Sequence, residues 1–157
     1  TRFGKLTSLR RLEIVHTNVT DAGLKHIAGL VNLRQLHIHG PTTTETALPF
    51  IGQLKELYQL DVYDRAGSNQ TLEQIAKLPK LRFLMLPNGV VDDSGVKHLA
   101  KMTTLEELSV QSGKMTDASI DHLAGLTNLR KLHFGGAITP AGRERLKTLF
   151  PKTEISP

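Results

Sequence analysis

The chain has 157 residues, 39% apolar and 22% charged, with a formal net charge of +5 and no cysteine. That supports one buried core and excludes both a disordered chain and, given apolar runs of only a few residues, a membrane span. The missing thiols exclude disulfides, cysteine nucleophiles and cysteine zinc sites, and lean toward a reducing, cytoplasmic setting.

In chain order, Leu6, Leu30, Leu54, Leu78, Met102 and Leu126 follow one another at intervals of 24 residues. Each opens the frame Leu-x-x-Leu-x-x-Leu-x-aliphatic, first as Leu9, Leu12 and Ile14 and last as Leu129, Leu132 and Phe134. A unit of this length cannot bury its apolar face alone, so a fixed period predicts a solenoid of stacked repeats. The repeats run over 6–29, 30–53, 54–77, 78–101, 102–125 and 126–148, with a C-terminal edge cap over 149–157, as one domain. Phe3 falls where Ile27 and Leu99 fall, inside a helix, so a longer parent chain is expected.

The first repeat sets the pattern. Leu12 and Ile14 alternate with Arg11, Glu13 and Val15, the period of a short strand with one buried face. Thr17, Asn18 and Val19 turn the chain, with Val19 pointing inward. Thr20 is placed to cap a helix through its hydroxyl, and Asp21 sets negative charge at the positive helix end. Leu24, Ile27 and Ala28 form one apolar helix face, which Gly29 ends. Asp92-Asp93, Thr116-Asp117 and Thr139-Pro140 repeat the helix start, the last with proline at its favoured first position. Parallel strands sit about 4.8 Å apart and helices about 10 Å, so strands inside and helices outside must bend into an arc.

Residues Leu9-x-x-Leu12-x-Ile14-x-x-Thr17-x-Val19-Thr20-Asp21-Ala22-Gly23-Leu24 resemble a leucine-rich repeat, specifically the cysteine-containing subclass with its Thr-Asp-Ala-Gly-Leu helix start. Residues 105–123 match nearly as well, and the resemblance covers essentially the whole chain. It implies an α/β fold, a right-handed horseshoe solenoid with parallel inner strands and outer helices. Such repeats occur in F-box-type substrate receptors and in many bacterial proteins, where they serve as protein-binding scaffolds. The subclass places Asn or Cys at the turn, whereas this chain has Thr17, Pro41, Arg65, Gly89, Gly113 and Ala137, so a ladder of turn side chains is not expected.

The repeat breaks in three places. The turn aliphatic becomes Thr43 and Gly67 in the second and third repeats, predicting polar, flexible loops over 40–45 and 64–69. Pro49 sits early in the second helix, where its missing N–H is tolerated. The sixth repeat is one residue short at Gly135 to Ile138, and residues 151–155 predict a half-strand closing the C-terminal edge. The sequons at Asn18 and Asn69 are the frequent products of chance.

The strand register sorts the outward-facing side chains into three columns. They are Arg11, Gln35, Gln59, Phe83, Glu107 and Lys131; Glu13, His37, Asp61, Met85, Ser109 and His133; and Val15, His39, Tyr63, Pro87, Gln111 and Gly135. With five Phe, two Tyr and no Trp in the chain, the meeting of Tyr63, Phe83, Met85 and Pro87, with Tyr58 beside them, predicts a binding patch. Its polar rim is Arg11, Gln35, His37, His39, Gln59, Asp61 and Glu107. His37, His39 and Asp61 fit a cross-strand polar series Glu13–His37–Asp61 better than a metal site, since alternate strand residues stand about 7 Å apart and no fourth ligand adjoins them. His26, His98 and His122 recur on the outer side as solvated residues. Ser109, His133 and Glu107 adjoin one another without a strained elbow, oxyanion hole or cleft, and no phosphate-binding loop occurs.

The sequence therefore predicts a non-catalytic scaffold that binds a protein or peptide on its concave face, without cofactor or metal. Lys and Arg are scattered with no basic run, so neither nucleic acid nor membrane is an expected partner. A monomer is expected where the N-terminal edge is covered. The alternative is a structural spacer or oligomerisation segment of a larger protein, stacking through that edge.

Overall fold

The computed structural model describes residues 6–15, 17, 19–39, 46, 48–63 and 67–156. Seven strands form one open sheet in chain order: β1 (Arg11–Val15), β2 (Gln35–His39), β3 (Gln59–Val62), β4 (Phe83–Leu86), β5 (Glu107–Gln111), β6 (Lys131–Gly135) and β7 (Glu154–Ser156). All neighbours are parallel. The register is the predicted one over β1 to β6, with Leu12, Leu36, Leu60, Leu84, Leu108 and Leu132 aligned across the sheet, and Ile155 of β7 joins the row 23 residues after Leu132. From Leu36 to Leu132 this row is buried, whereas Leu12 and Ile155, at the two edges, are only partly covered. The C-terminal half-strand exists, displaced toward the terminus from the predicted 151–155.

A backbone relay sets the strand spacing. The Arg10 carbonyl accepts from the N–H groups of Arg34 and Gln35 at 2.8 and 2.9 Å. The Arg34 carbonyl accepts likewise from Tyr58 and Gln59, and the pattern continues through Arg82 and Glu106 to Glu154. The strand pairs from β1 to β6 stand 24 residues apart and β6 and β7 stand 23 apart, and this near-constant return fixes the register of each strand on the next.

The outer side is built from short pieces. Helices α1 (Asp21–Leu24), α2 (Leu48–Ile51), α3 (Asn69–Ile75), α4 (Asp93–Val96), α5 (Ala118–Leu123) and α6 (Pro140–Leu149) lie between the strands, and α1 and α4 run on into the 3-10 segments Lys25–Gly29 and Lys97–Lys101. Pro49 falls at the second position of α2, where its missing N–H breaks no helical bond. The 24-residue period leaves little chain for a long helix, so the tighter 3-10 turn carries it down to the next leucine. His26, His98 and His122 are half-buried there rather than fully solvated.

Helix starts differ from the expected capping and reveal a second inter-repeat tie. Thr20 stands at the N-cap of α1 but its hydroxyl makes no capping bond. Asp92, Ser68 and Thr139 do cap their helices, and α5 begins one residue later than predicted, with Thr116 Oγ1 accepting from the Ala118 N–H at 3.3 Å. A residue at the helix start, one past the cap in α3 and α4 and at the N-cap itself in α5, reaches across to the next repeat. Asp93 accepts from the Thr116 N–H at 2.8 Å, from Thr116 Oγ1 at 2.7 Å and from Ser119 Oγ. Asp117 accepts from the Thr139 N–H at 2.9 Å and its hydroxyl at 2.5 Å. Asn69 donates to Asp92 Oδ1 at 2.8 Å and accepts from the Asp92 N–H at 3.0 Å. That tie occupies the amide nitrogen of the second sequon; Asn18 of the first lies outside the described residues.

These carboxylates give the fold an acid limit. Desolvation raises Asp93, but the hydrogen bonds from Ser119 and Thr116 outweigh it and hold the carboxyl below its ordinary value. Asp117 is lowered chiefly by the Thr139 hydroxyl and N–H, and Asp92 chiefly by Ser94 and Asn69. Lowered carboxylates stabilise the fold above the unfolded value near ~3.9, and that stability is lost as pH falls through the folded value. The wild type is thus expected to melt above Asp93→Asn at pH 7, with the gap closing below about pH 4 in paired thermal melts.

Gly67 departs from expectation. It is buried, and its carbonyl accepts from the Val90 N–H at 2.6 Å. A Cβ there would stand 3.1 Å from the Gly89 Cα, so two glycines meet backbone to backbone where an aliphatic residue stands in other repeats. This end of the third loop is packed, not flexible. Phe3, the loop over 40–45 with Pro41 and Thr43, and Asp64 and Arg65 lie outside the described residues.

Candidate functional site

The three predicted columns stand side by side on the open strand face. Arg11, Gln35, Gln59, Phe83, Glu107 and Lys131 are register partners, as are Glu13, His37, Asp61, Met85, Ser109 and His133. Tyr63 lies one residue beyond β3, its N–H donating to the Ile38 carbonyl at 2.9 Å, which keeps it in the third column.

The apolar members form a chain across the face. Tyr58 meets Phe83 edge-on, with ring centroids 6.0 Å apart at 73°. Phe83 and Met85 share the outer face of β4, and the Tyr63 hydroxyl donates to Met85 Sδ at 3.7 Å. Tyr63 in turn lies 5.7 Å from the His39 ring. Each of Tyr58, Tyr63, Phe83, Met85 and Pro87 is half-buried, and His39 is exposed. Such rings are held by neighbours yet keep a free surface.

A polar network lies beside them. Gln35 Nε2 donates to Gln59 Oε1 at 2.9 Å, Gln59 Nε2 to Asp61 Oδ2 at 3.2 Å, and His37 Nδ1 stands 2.6 Å from the same oxygen. The expected series Glu13–His37–Asp61 forms only in its second half, because Glu13 accepts instead from the Arg11 guanidinium, at 2.8 Å from Nε. That bond, more than the nearby His37, holds the Glu13 carboxyl below its ordinary value.

Asp61 is not the exposed rim residue the pattern suggested. It is only 4% exposed, being a short side chain between the longer Gln59 and His37. Burial pushes its carboxyl above the ordinary value, against the opposing pull of His37 and Gln59. Its Oδ1 has no hydrogen-bond partner, nor has Nε2 of His37. Two depressions flank this pair, one of about 240 Å³ lined by Glu13, Val15, His37, His39 and Tyr63, the other of about 270 Å³ reaching from Gln59, Asp61, Phe83 and Met85 toward β7.

Farther along, Glu107 faces Lys131 at 3.5 Å. His133 bonds to Gln111 through Nε2 and to Ser156 Oγ at 2.8 Å through Nδ1, so both ring nitrogens are engaged away from Ser109. Sequence reasoning missed Glu154 and Ser156, which β7 adds to the same depression. The β7 residues carry no leucine frame, so only their pairing with β6 could reveal them. No group of three or more His, Asp or Glu among the described residues is arranged to hold a metal. No helix among them is long and apolar enough to cross a membrane.

No protein of curated function matches the sequence. Among solved structures, the chain is similar to a leucine-rich-repeat protein of Leptospira interrogans, at 22% identity and a TM-score of 0.71 over 98% of this chain and 38% of that one. It is also similar to internalin C2 of Listeria monocytogenes, at 24% identity and a TM-score of 0.74 over 93% of this chain and 61% of that one. An internalin F of the same bacterium aligns at 17% identity with a TM-score of 0.55. The chain thus spans less than two thirds of these proteins, and the likeness establishes the fold. Residues 1–148 match the family described as Leucine-rich repeat region, and with its seven parallel strands in a 24-residue beat the chain belongs to that family.

Proposed function

We propose that this segment is a non-catalytic scaffold that binds a protein or peptide on its concave strand face. The observation that carries the reading is the unbroken run Tyr58, Phe83, Met85, Tyr63 and His39, each touching or sharing a strand face with the next. Half-buried aromatic and methionine side chains, rimmed by polar groups, are the composition of interface hot spots. Solenoids use this kind of extended surface for binding. Arg11, Gln35, His37, Gln59 and Glu107 form the rim, with Pro87 one residue past the end of β4. On its Thr20-Asp21-Ala22-Gly23-Leu24 helix start we group the chain with the cysteine-containing-like subclass.

The test is a ligand selected from a peptide library on the wild-type chain. Phe83→Ala combined with Met85→Ala is expected to weaken that ligand by at least about 2 kcal/mol. The melting temperature should move by less than about 5 °C, since neither side chain belongs to the interior rows. Unchanged affinity in the double variant removes this face from consideration.

A second reading is a spacer or oligomerisation segment that stacks through its N-terminal edge. It draws on an apolar depression of about 360 Å³ lined by Leu12, Ile14, Val19, Leu24, Ile27 and Leu30. Light scattering separates the two, because edge stacking predicts a mass that rises with concentration.

A further inference from the structure

We infer that the partner of the concave face is an acidic peptide segment, whose carboxylates dock along the edge where the chain enters the strands, on Arg10, Arg34 and Lys80. The inference rests on the concave-face reading and names the chemistry of its partner.

The Lys and Arg that are scattered in sequence are gathered in space. Among the described residues, the segments that lead into the strands carry eight of them, all exposed, against two carboxylates, Glu56 and Glu106. The opposite edge, where strands give way to helices, carries Asp21, Asp92, Asp93 and Asp117 against Lys114 among the described residues. The chain's net +5 is thus concentrated on one edge and reversed on the other. Potentials of this kind steer a partner and fix its orientation, so an acidic segment is drawn to one side of the face and repelled from the other.

The cations stand in a row that borders the proposed site. Arg10, Arg34, Tyr58, Arg82, Glu106 and Arg130 occupy the same repeat position, and each carbonyl accepts from the N–H of the next. Neighbours in the row stand about 5 Å apart, the spacing of parallel strands. Tyr58 belongs both to this row and to the aromatic run through Phe83, so a peptide seated on the patch reaches the row without leaving the face. At the N-terminal end one carboxylate serves three cations. Lys80 Nζ bonds to Glu56 at 2.7 and 2.8 Å, and that bond, aided by the charges of Lys80, Arg34 and Arg10, holds the Glu56 carboxyl below its ordinary value. Positive charge is left over there. The Arg34 guanidinium makes no hydrogen bond, and Arg10 gives one to the Asn32 carbonyl at 3.2 Å. An arginine fork takes a carboxylate through two parallel N–H bonds.

The layout favours a peptide over a nucleic-acid strand. A phosphodiester chain brings a charge at every unit and would set phosphates against Glu56 and Glu106, whereas a peptide places carboxylates only where cations stand. Single strands also stack on successive rings, and Tyr58 is the one aromatic in this row. On the strand face itself the cations are already paired, Arg11 with Glu13 and Lys131 with Glu107, so a partner's carboxylates find their donors on the edge.

Peptides are selected on the full chain, and calorimetry measures each winner beside a copy with its Asp and Glu changed to Asn and Gln. The proteins compared are wild type, Arg10→Gln/Arg34→Gln, and Lys25→Gln/Lys97→Gln, which removes the same charge from the outer side. Expected are acidic winners whose neutral copies bind wild type about 5-fold or more weaker. The edge variant should lose a similar factor for the acidic peptide and bind the two copies within about 2-fold of each other, whereas the outer variant loses less than about 2-fold. The neutral copies need no protein variant, so that comparison stands whatever the stability of the edge variant, which a melt checks. Neutral or basic winners that depend on Phe83 and Met85, or acidic winners that lose equally on the edge and outer variants, overturn the inference and leave the concave-face reading standing. Displacement of the acidic winners by an equal concentration of single-stranded DNA assigns the edge to phosphates and overturns it too. Winners that bind the Phe83→Ala/Met85→Ala protein as well as wild type overturn both.

Discussion

Leu84→Asp is expected to abolish the cooperative melt of the chain. Leu84 is fully buried and sits in register between Leu60 and Leu108, themselves fully or almost fully buried. An aspartate there loses the leucine's packing, which alone costs about 2–5 kcal/mol, and adds a buried charge with no partner. The sum meets or exceeds the ~5–15 kcal/mol that holds a domain of this size together. Repeats contact only their neighbours, so failure at β4 separates the stack into an N-terminal and a C-terminal part. Hydrogen exchange should then show protection lost first in β3, β4 and β5. Leu84→Met, which nearly conserves volume, is expected to cost less than about 1.5 kcal/mol. A Leu84→Asp protein that melts within a few degrees of wild type contradicts the inward assignment of the whole row.

The same row explains what was legible in the sequence. A strict 24-residue period returns the backbone to one point each turn, so the columns followed from counting, and Tyr63, Phe83 and Met85 came together as expected. Counting gives the direction of a side chain but not the height of its neighbours. Asp61 points outward as its register requires, yet it is shorter than Gln59 and His37 and disappears between them. Asp93 and Asp117 were read for their place at a helix start, a local property. Their main bonds go to the next repeat, at a separation of 22 or 23 residues, where no local rule points. Gly67 looked like a flexible break because its partner, Gly89, is equally distant in sequence.

Glycine at the third helical position supplies the sharpest test of this inter-repeat tie. In an ordinary helix, replacing glycine by alanine stabilises by about 1 kcal/mol. Gly95→Ala is expected to do the opposite. A Cβ at Gly95 would stand 2.1 Å from Asn69 Oδ1, 2.7 Å from its Cγ and 3.0 Å from its Cα. The Asn69 amide cannot swing aside without giving up Asp92 Oδ1, Ser94 Oγ and the Asp92 N–H, at 2.8, 3.0 and 3.0 Å. Overpacking and lost hydrogen bonds together outweigh the propensity gain, for a net loss of about 1–3 kcal/mol. Gly23→Ala is the control, because among the described residues its Cβ meets only Val19 Cγ1 at 3.2 Å, the end of a side chain. That substitution should be neutral or stabilising. If the clash with Asn69 is the cause, Asn69→Ala must relieve it, so Gly95→Ala made in an Asn69→Ala background should cost less than it does in the wild type. Equal costs in the two backgrounds, read from denaturant melts, would mean that Gly95 is required for some reason other than making room for the preceding repeat.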